Sequence, residues 1–220
     1  MKAQEAKRRL VDESIRLIDE QGLGGLSFRE MSRRAGVSHQ TPYHHFANRE
    51  GILAAIAQEG FARLDARLTE VRTKHRRERP AENLRNVLRA YMLFAIENPV
   101  YYGVMFRPEL VDFKRHPEAR EQANLSFQQL VDTVRECHPG IAKNDKRLME
   151  IANALWAAAH GVATIWLDGP LSVKSPEISI RSFIDMTSEM FSQAGAKTPR
   201  SAQKRSDKFS DARTTSSRTT

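Results

Sequence analysis

The sequence predicts an all-α protein, with a small N-terminal helix-turn-helix unit joined to a larger helical body. Three observations carry this expectation. Apolar residues recur at helical spacing through nearly every segment, and no convincing strand or internal repeat interrupts them. Serine, asparagine or proline stands at the start of most segments, and glycine or proline at the end. The stretch Ser27 to Phe46, SFREMSRRAGVSHQTPYHHF, sets a glycine turn between two short helices.

Residues 3–21 form the first helix, with Leu10, Ile15, Leu17 and Ile18 at its apolar positions and Gly22, Gly24 and Gly25 ending it. Ser27 caps the second helix, and Glu30, three residues on, completes a capping box. Phe28 and Met31 are its apolar residues, while small Ser32 and Ala35 admit a close neighbour. Gly36 stops it, because glycine takes the left-handed cap conformation without a side-chain clash. Val37 is the apolar residue of the turn, and Ser38 caps a third helix, His39 to His45, whose end returns Phe46 to the core. Pro42 falls near the first turn, where a missing N–H costs little, and fixes the entry of that helix.

Asn48 caps a fourth helix over 49–74, long enough to act as a strut, with Ile52, Leu53, Ile56, Phe61, Leu64 and Leu68 apolar. The basic run 72–79 (RTKHRRER) reads as a solvated helix end and loop. Pro80 opens the body at a first helical position, followed by the stripe Leu84, Val87, Leu88, Tyr91 and Met92. Residues 99–106 make a short aromatic-rich helix, and Pro108 and Pro117 bracket a looser connection. Three helices follow, over 117–137, 145–167 and 176–194, the last capped by Ser175 and stopped by Gly195. Everything after Lys197 is polar and basic and is expected to be disordered. The expected division is therefore 1–50, a helix-turn-helix head; 51–196, a helical body; and 197–220, a basic tail.

Composition narrows the function. With 40% apolar and 28% charged residues the chain reads as soluble and globular. It shows no N-terminal signal sequence. Its most apolar run, 154–167, is interrupted by His160 and Thr164 and falls short of the roughly 20 residues a bilayer span needs. The single cysteine, Cys137, forbids an internal disulfide and suits a reducing cytosol, so the expected location is the cytoplasm. The net charge of +8 is less informative than it looks, since the last 24 residues hold seven Lys/Arg and two Asp. That leaves only +3 on residues 1–196, a mildly basic body.

The helix-turn-helix is therefore the informative feature. The second helix of such a motif enters the DNA major groove. Here its exposed residues are His39, Gln40, Thr41, Tyr43, His44 and His45; all can hydrogen-bond and none is acidic. Arg49 stands at the head of the next helix, where phosphates seat readily. Double-stranded DNA is thus the expected partner. An enzyme is disfavoured, because no nucleophile elbow, P-loop or dinucleotide fingerprint occurs. Cys137-His138 lacks further metal ligands, so no metal and no cofactor is expected. The alternative reading is a helical small-molecule-binding or interaction protein without sequence-specific DNA binding.

The segment LSFREMSRRAGVSHQTPYHHF followed by ANREGILAAI, with its Gly36-Val37-Ser38 turn and Tyr43-x-x-Phe46 ending, resembles the tetracycline-repressor (TetR) family. In the body, the run from Tyr102 to Leu110 with Trp156 to Gly161 and Trp166 to Gly169 looks like the WHG-type C-terminal domain of one branch of that family. The resemblance implies that the helical body, 51–196, is a ligand-binding and dimerisation domain. It also implies a homodimer, a palindromic operator, a small-molecule effector and, by the family's usual sign, repression. It implies backbone contacts from Ser27 and Arg29 at the positioning helix. Contacts from the recognition region would come from Ser38, His39, Gln40, Thr41, Tyr43, His44, His45 and Arg49. Small residues along the penultimate helix and apolar ones on the last are the expected dimer surface. Tyr91, Phe94, Tyr102, Phe106, Phe127, Trp156 and His160 are the candidate pocket residues.

Overall fold

The computed structural model describes residues 2–142 and 145–197; the expectation for the tail beyond Lys197 lies outside the described residues. Helices account for all regular structure among those residues. The head is α1 (Lys2–Gln21), a short 3-10 turn (Leu23–Gly25), α2 (Phe28–Ala35) and α3 (Thr41–His45). The strut α4 (Arg49–Lys74) leads to the body: α5 (Pro80–Glu97), α6 (Pro99–Met105), α7 (Pro117–Cys137), α8 (Lys146–Leu167), α9 (Pro170–Lys174) and α10 (Ile180–Gly195). None of these helices is long and apolar enough to cross a membrane.

The head closes over Leu10, Leu17 and Met31, all fully buried. Ser14 sits among them and stays satisfied by donating to the Leu10 carbonyl at 2.7 Å. The 26 residues of α4 span about 39 Å at the usual helical rise. One end touches α1, and the rest packs against α5, α6 and α7. At Gly60 the approach to α6 leaves no room for a side chain, since a Cβ there would lie 2.6 Å from Met105 Sδ and 3.1 Å from Tyr101.

Several details depart from the sequence expectations. The third helix begins at Thr41, not His39; Pro42 has no N–H to return to the Ser38 carbonyl, so the chain makes a tighter turn, Thr41 N–H donating to Ser38 O at 3.0 Å. The Ser38 hydroxyl meets Thr41 Oγ1 at 2.8 Å instead of capping a backbone amide. Ser27 does cap α2, accepting from Glu30 N–H at 3.2 Å, but the Glu30 carboxylate turns to Arg33 and Arg34, so the reciprocal half of the capping box is not made. The last helix begins at Ile180 rather than Pro176, because Ile178 N–H closes a turn onto the Ser175 carbonyl, and α9 intervenes after Gly169 turns the chain at a φ of 90°. Gly195 is the final residue of α10 rather than the first beyond it.

Two exposed apolar stripes remain on the body. Along α8, Ala154, Ala157 and Ile165 are exposed and Ala158 and Gly161 partly so, all on one side by helical spacing. On α10, Met186 and Met190, one turn apart, are 52% and 58% exposed. The two helices pack against each other.

Candidate nucleic-acid interface and ligand cavity

The turn that presents α3 is built from the backbone outward. Gly36 takes φ 64°, ψ 37°, a conformation costly for any residue with a Cβ, and lets Val37 N–H reach the Ser32 carbonyl at 3.1 Å. Phe46 and Pro42 are buried beneath the helix. Their anchoring leaves His39, Gln40 and His44 exposed, with no side-chain hydrogen bond to another described residue. Tyr43 is 61% exposed, its ring tilted against Phe28 at 4.8 Å, so the hydroxyl is carried outward on a packed ring. His45 is half-buried beside Phe46. Thr41, also half-buried, pairs with Ser38.

The charges around this face are largely settled internally. Hydrogen bonds from Arg33 and Arg34 hold the Glu30 carboxyl well down, at about 2, and Arg34 also reaches Glu20. Arg29 stands exposed, outside these pairs. Arg49, expected at a phosphate, donates one N–H to the Leu23 carbonyl and ties the 3-10 turn to the start of α4, with its other guanidinium N–H groups not engaged by the described residues. The nearest acidic neighbour, Glu50, is occupied from the other side: it accepts from Arg115 at 2.9 Å, His116 at 3.2 Å and the Asp112 amide at 3.2 Å. From Gly36 to Arg49 no side chain is acidic, which suits a surface meeting a polyanion.

The body holds a cavity of about 320 Å³ between α4, α5, α7, α8 and the connection after α6. Of the expected residues, Tyr91, Phe106, Phe127 and Trp156 line it. Phe94 does not. It is 3% exposed and belongs to the packed core, so its aromatic character, which suggested it, serves core packing at that position. Tyr102 and His160 also lie off this cavity, facing an adjacent hollow with Arg107 and Asp168. They are joined to it by hydrogen bonds: His160 Nδ1 is 2.9 Å from the Tyr91 hydroxyl and 2.8 Å from that of Tyr102. Burial lowers the His160 pKa and raises that of Tyr91 well above its ordinary value, so both are neutral at physiological pH. Sequence reasoning missed Phe61 of α4 and Phe113 of the connection, both cavity walls. Phe61 meets Phe106 edge-on at 5.3 Å and Phe113 at 6.0 Å.

Comparison with known proteins fits this architecture. The family model described as "Bacterial regulatory proteins, tetR family" matches residues 10–56, and "Tetracyclin repressor-like, C-terminal domain" matches residues 84–190. The chain is 31% identical over 169 residues to the HTH-type transcriptional regulator BetI of Burkholderia ambifaria, covering 76% of this chain and 82% of that one. The chain belongs to the TetR family. This TetR-family chain is thus a ligand-responsive, DNA-binding transcriptional regulator. It is also 28% identical over 96 residues to the HTH-type regulator YobS of Bacillus subtilis, where the match covers 44% of this chain and about half, 49%, of YobS. A protein of unknown function from Rhodococcus sp. RHA1 superposes with a TM-score of 0.71 at 25% identity, covering 87% of this chain and 96% of that one. The fold is shared by the TetR-family regulator PfmR of Thermus thermophilus, with a TM-score of 0.63 at 18% identity over 84% and 97% of the two chains.

Proposed function

We propose that this regulator is a cytoplasmic repressor that binds a palindromic operator as a homodimer and is released by a small apolar or aromatic molecule. The observation that carries the reading is a single connection. The acid-free stretch from Gly36 through α3 and the apolar cavity are joined by α4 and by the loop after α6, which both walls the cavity and holds Glu50. In this reading residues 1–50 are the head and 51–196 the body, with α4 crossing between them. Ser27 and Arg29 meet the backbone; Ser38, His39, Gln40, Thr41 and His44 lie at or near base edges; Tyr43 and His45 face phosphates. Arg49 acts first as the tie to Leu23. The stripes on α8 and α10 meet their counterparts across a two-fold axis, setting recognition helices about 34 Å apart.

Release follows from differential affinity: a ligand lowers DNA binding only in so far as it prefers the conformation that does not fit the operator. The route is legible. Pro108 and Phe113 wall the cavity, and a few residues on, the same loop clamps Glu50 in the first turn of α4. A change in the cavity wall is thereby felt where the recognition helix joins the strut.

The test uses a duplex recovered by selection from random DNA and an apolar ligand found by its thermal stabilisation of the protein. That ligand should weaken operator binding by a factor within the usual allosteric range of about 5–150. A stabilising ligand that leaves DNA affinity unchanged contradicts release. Glu50→Gln should reduce the factor to about threefold or less while ligand affinity stays within about twofold, since it weakens the clamp without touching the cavity. Full coupling in that variant would place the route elsewhere.

A further inference from the structure

We infer that the hollow between α6 and the C-terminal end of α8, separate from the apolar cavity, is a further ligand site that takes a small zwitterion, its carboxylate at Arg107 and its ammonium at Asp168. Such a site goes beyond the release of DNA by an apolar molecule.

The hollow has a volume of about 350 Å³. Tyr102, Phe106 and His160 supply part of its wall, with ring centroids 4.8–5.2 Å apart. Gly103 of α6 lines it too, and a Cβ there would meet no atom within 4 Å. Glycine within a helix costs stability, and no packed neighbour demands it here; its effect is to leave α6 bare beside the hollow. Among the described residues Arg107 is the one Lys or Arg in the lining and Asp168 the one Asp or Glu. His160 adds no charge, because burial lowers its pKa. Arg107 and Asp168 are both exposed, and neither makes an ion pair or a side-chain hydrogen bond with another described residue. Elsewhere on the body facing charges do pair, Arg85 with Glu189 at 3.0 Å and Arg72 with Glu136 at 2.8 Å.

The backbone holds the two charges in place. The Arg107 carbonyl accepts from the Leu110 N–H at 3.0 Å and the Val111 N–H at 3.3 Å, and the Asp168 N–H donates to the Thr164 carbonyl at 2.8 Å. A lone anion at Arg107 would also meet the Asp168 carboxylate, and a lone cation at Asp168 would also meet the guanidinium; a molecule carrying both charges satisfies each. Arg107 offers a planar fork of donors that matches a carboxylate. The Asp168 end suits an ammonium twice over, since the 22-residue α8 ends there and carries the negative end of its dipole. The Asp168 charge is felt at the wall: burial raises the Tyr102 pKa, and the Asp168 carboxylate adds to the rise. Between the charges Phe106 and Leu167 give a short methylene chain an apolar contact. The rival partner of Arg107 is Asp19 of α1, which shares a neighbouring hollow with it and is likewise unpaired among the described residues.

The experiment is a ligand-observed NMR titration of the full-length protein at low salt. The probes are β-alanine, 4-aminobutyrate and 6-aminohexanoate, with butyrate and butylammonium each carrying one of the two charges. The tightest zwitterion should bind about tenfold more tightly than either singly charged compound. Arg107→Gln should bring it to within about twofold of butylammonium, and Asp168→Asn to within about twofold of butyrate. Both side chains are exposed and unpaired, so neither variant takes a contact from the fold. Asp19→Asn should leave zwitterion binding within about twofold of wild type. No binding by any of the three zwitterions, equally tight binding of butyrate or butylammonium, or binding that survives both Arg107→Gln and Asp168→Asn would each overturn the inference. Loss of binding in Asp19→Asn would do the same by moving the site to the other hollow. The readout involves no DNA, so its failure leaves effector release untouched, and failure of effector release leaves this site standing.

Discussion

Gln40→Glu is expected to abolish sequence-specific DNA binding while leaving fold and dimer intact. Gln40 is exposed, precedes α3, and makes no side-chain capping bond, so the protein itself does not depend on its amide. At the groove the same amide can pair with the edge of adenine, a contact worth about 1–3 kcal/mol per half-site. A carboxylate forfeits it and also sets a negative charge against the phosphates in a region that now contains none, adding like-charge repulsion. Since a dimer repeats the loss in both half-sites, operator affinity should fall at least about 100-fold, with unchanged circular dichroism and sedimentation. Affinity within about threefold of wild type would remove Gln40 from the base-contacting set.

Met190→Glu should separate the dimer. Met190 is 58% exposed in the protomer and lies one turn from Met186 on α10, so the substitution costs the isolated chain little. In a two-fold interface each new carboxylate meets the same surface bearing its twin, and like charges so placed cost several kcal/mol. Sedimentation at micromolar concentration should show a monomer, and affinity for the full palindrome should collapse toward that for one half-site. A variant that remains dimeric would assign the exposed stripes of α8 and α10 to another purpose.

How much of this was legible beforehand depends on the range of the interaction. The strut and α7 fall where caps, prolines and apolar periodicity set them, because these are local signals: Asn48 accepts from Gly51 N–H at 3.0 Å, and Pro117 stands at the head of α7. The turn at Gly36 was likewise readable from one residue's backbone freedom. Proline misled where its meaning is double. Pro176 suits a turn as well as a helix start, and Pro170, just past the expected end of α8 at Leu167, also starts the short α9 that the sequence reading did not foresee.

The cavity was only half readable. Periodicity marks a residue as inward-facing, but Phe94 in the core and Phe106 at a cavity wall satisfy it equally. Phe61 was identified as apolar on α4, yet its place in the wall depends on α6 and the loop after it, 45 and more residues away. The Glu50 clamp had no local signal at all. An acidic residue in a helix's first turn is ordinary dipole chemistry, and only the fold brings Arg115 and His116 to it. Arg49 had no local signal for its tie to the Leu23 carbonyl either, a contact between the 3-10 turn and α4 that only the fold makes.

The most direct test of the central claim is selection of bound sequences from random duplex DNA by the purified full-length protein at a fixed, stated salt concentration. The account predicts an inverted repeat whose half-sites lie about one helical turn apart, some 34 Å, each read by one protomer. Recovery of no sequence preference by a folded dimer would contradict it and leave the helix-turn-helix as scaffold for a helical binding protein.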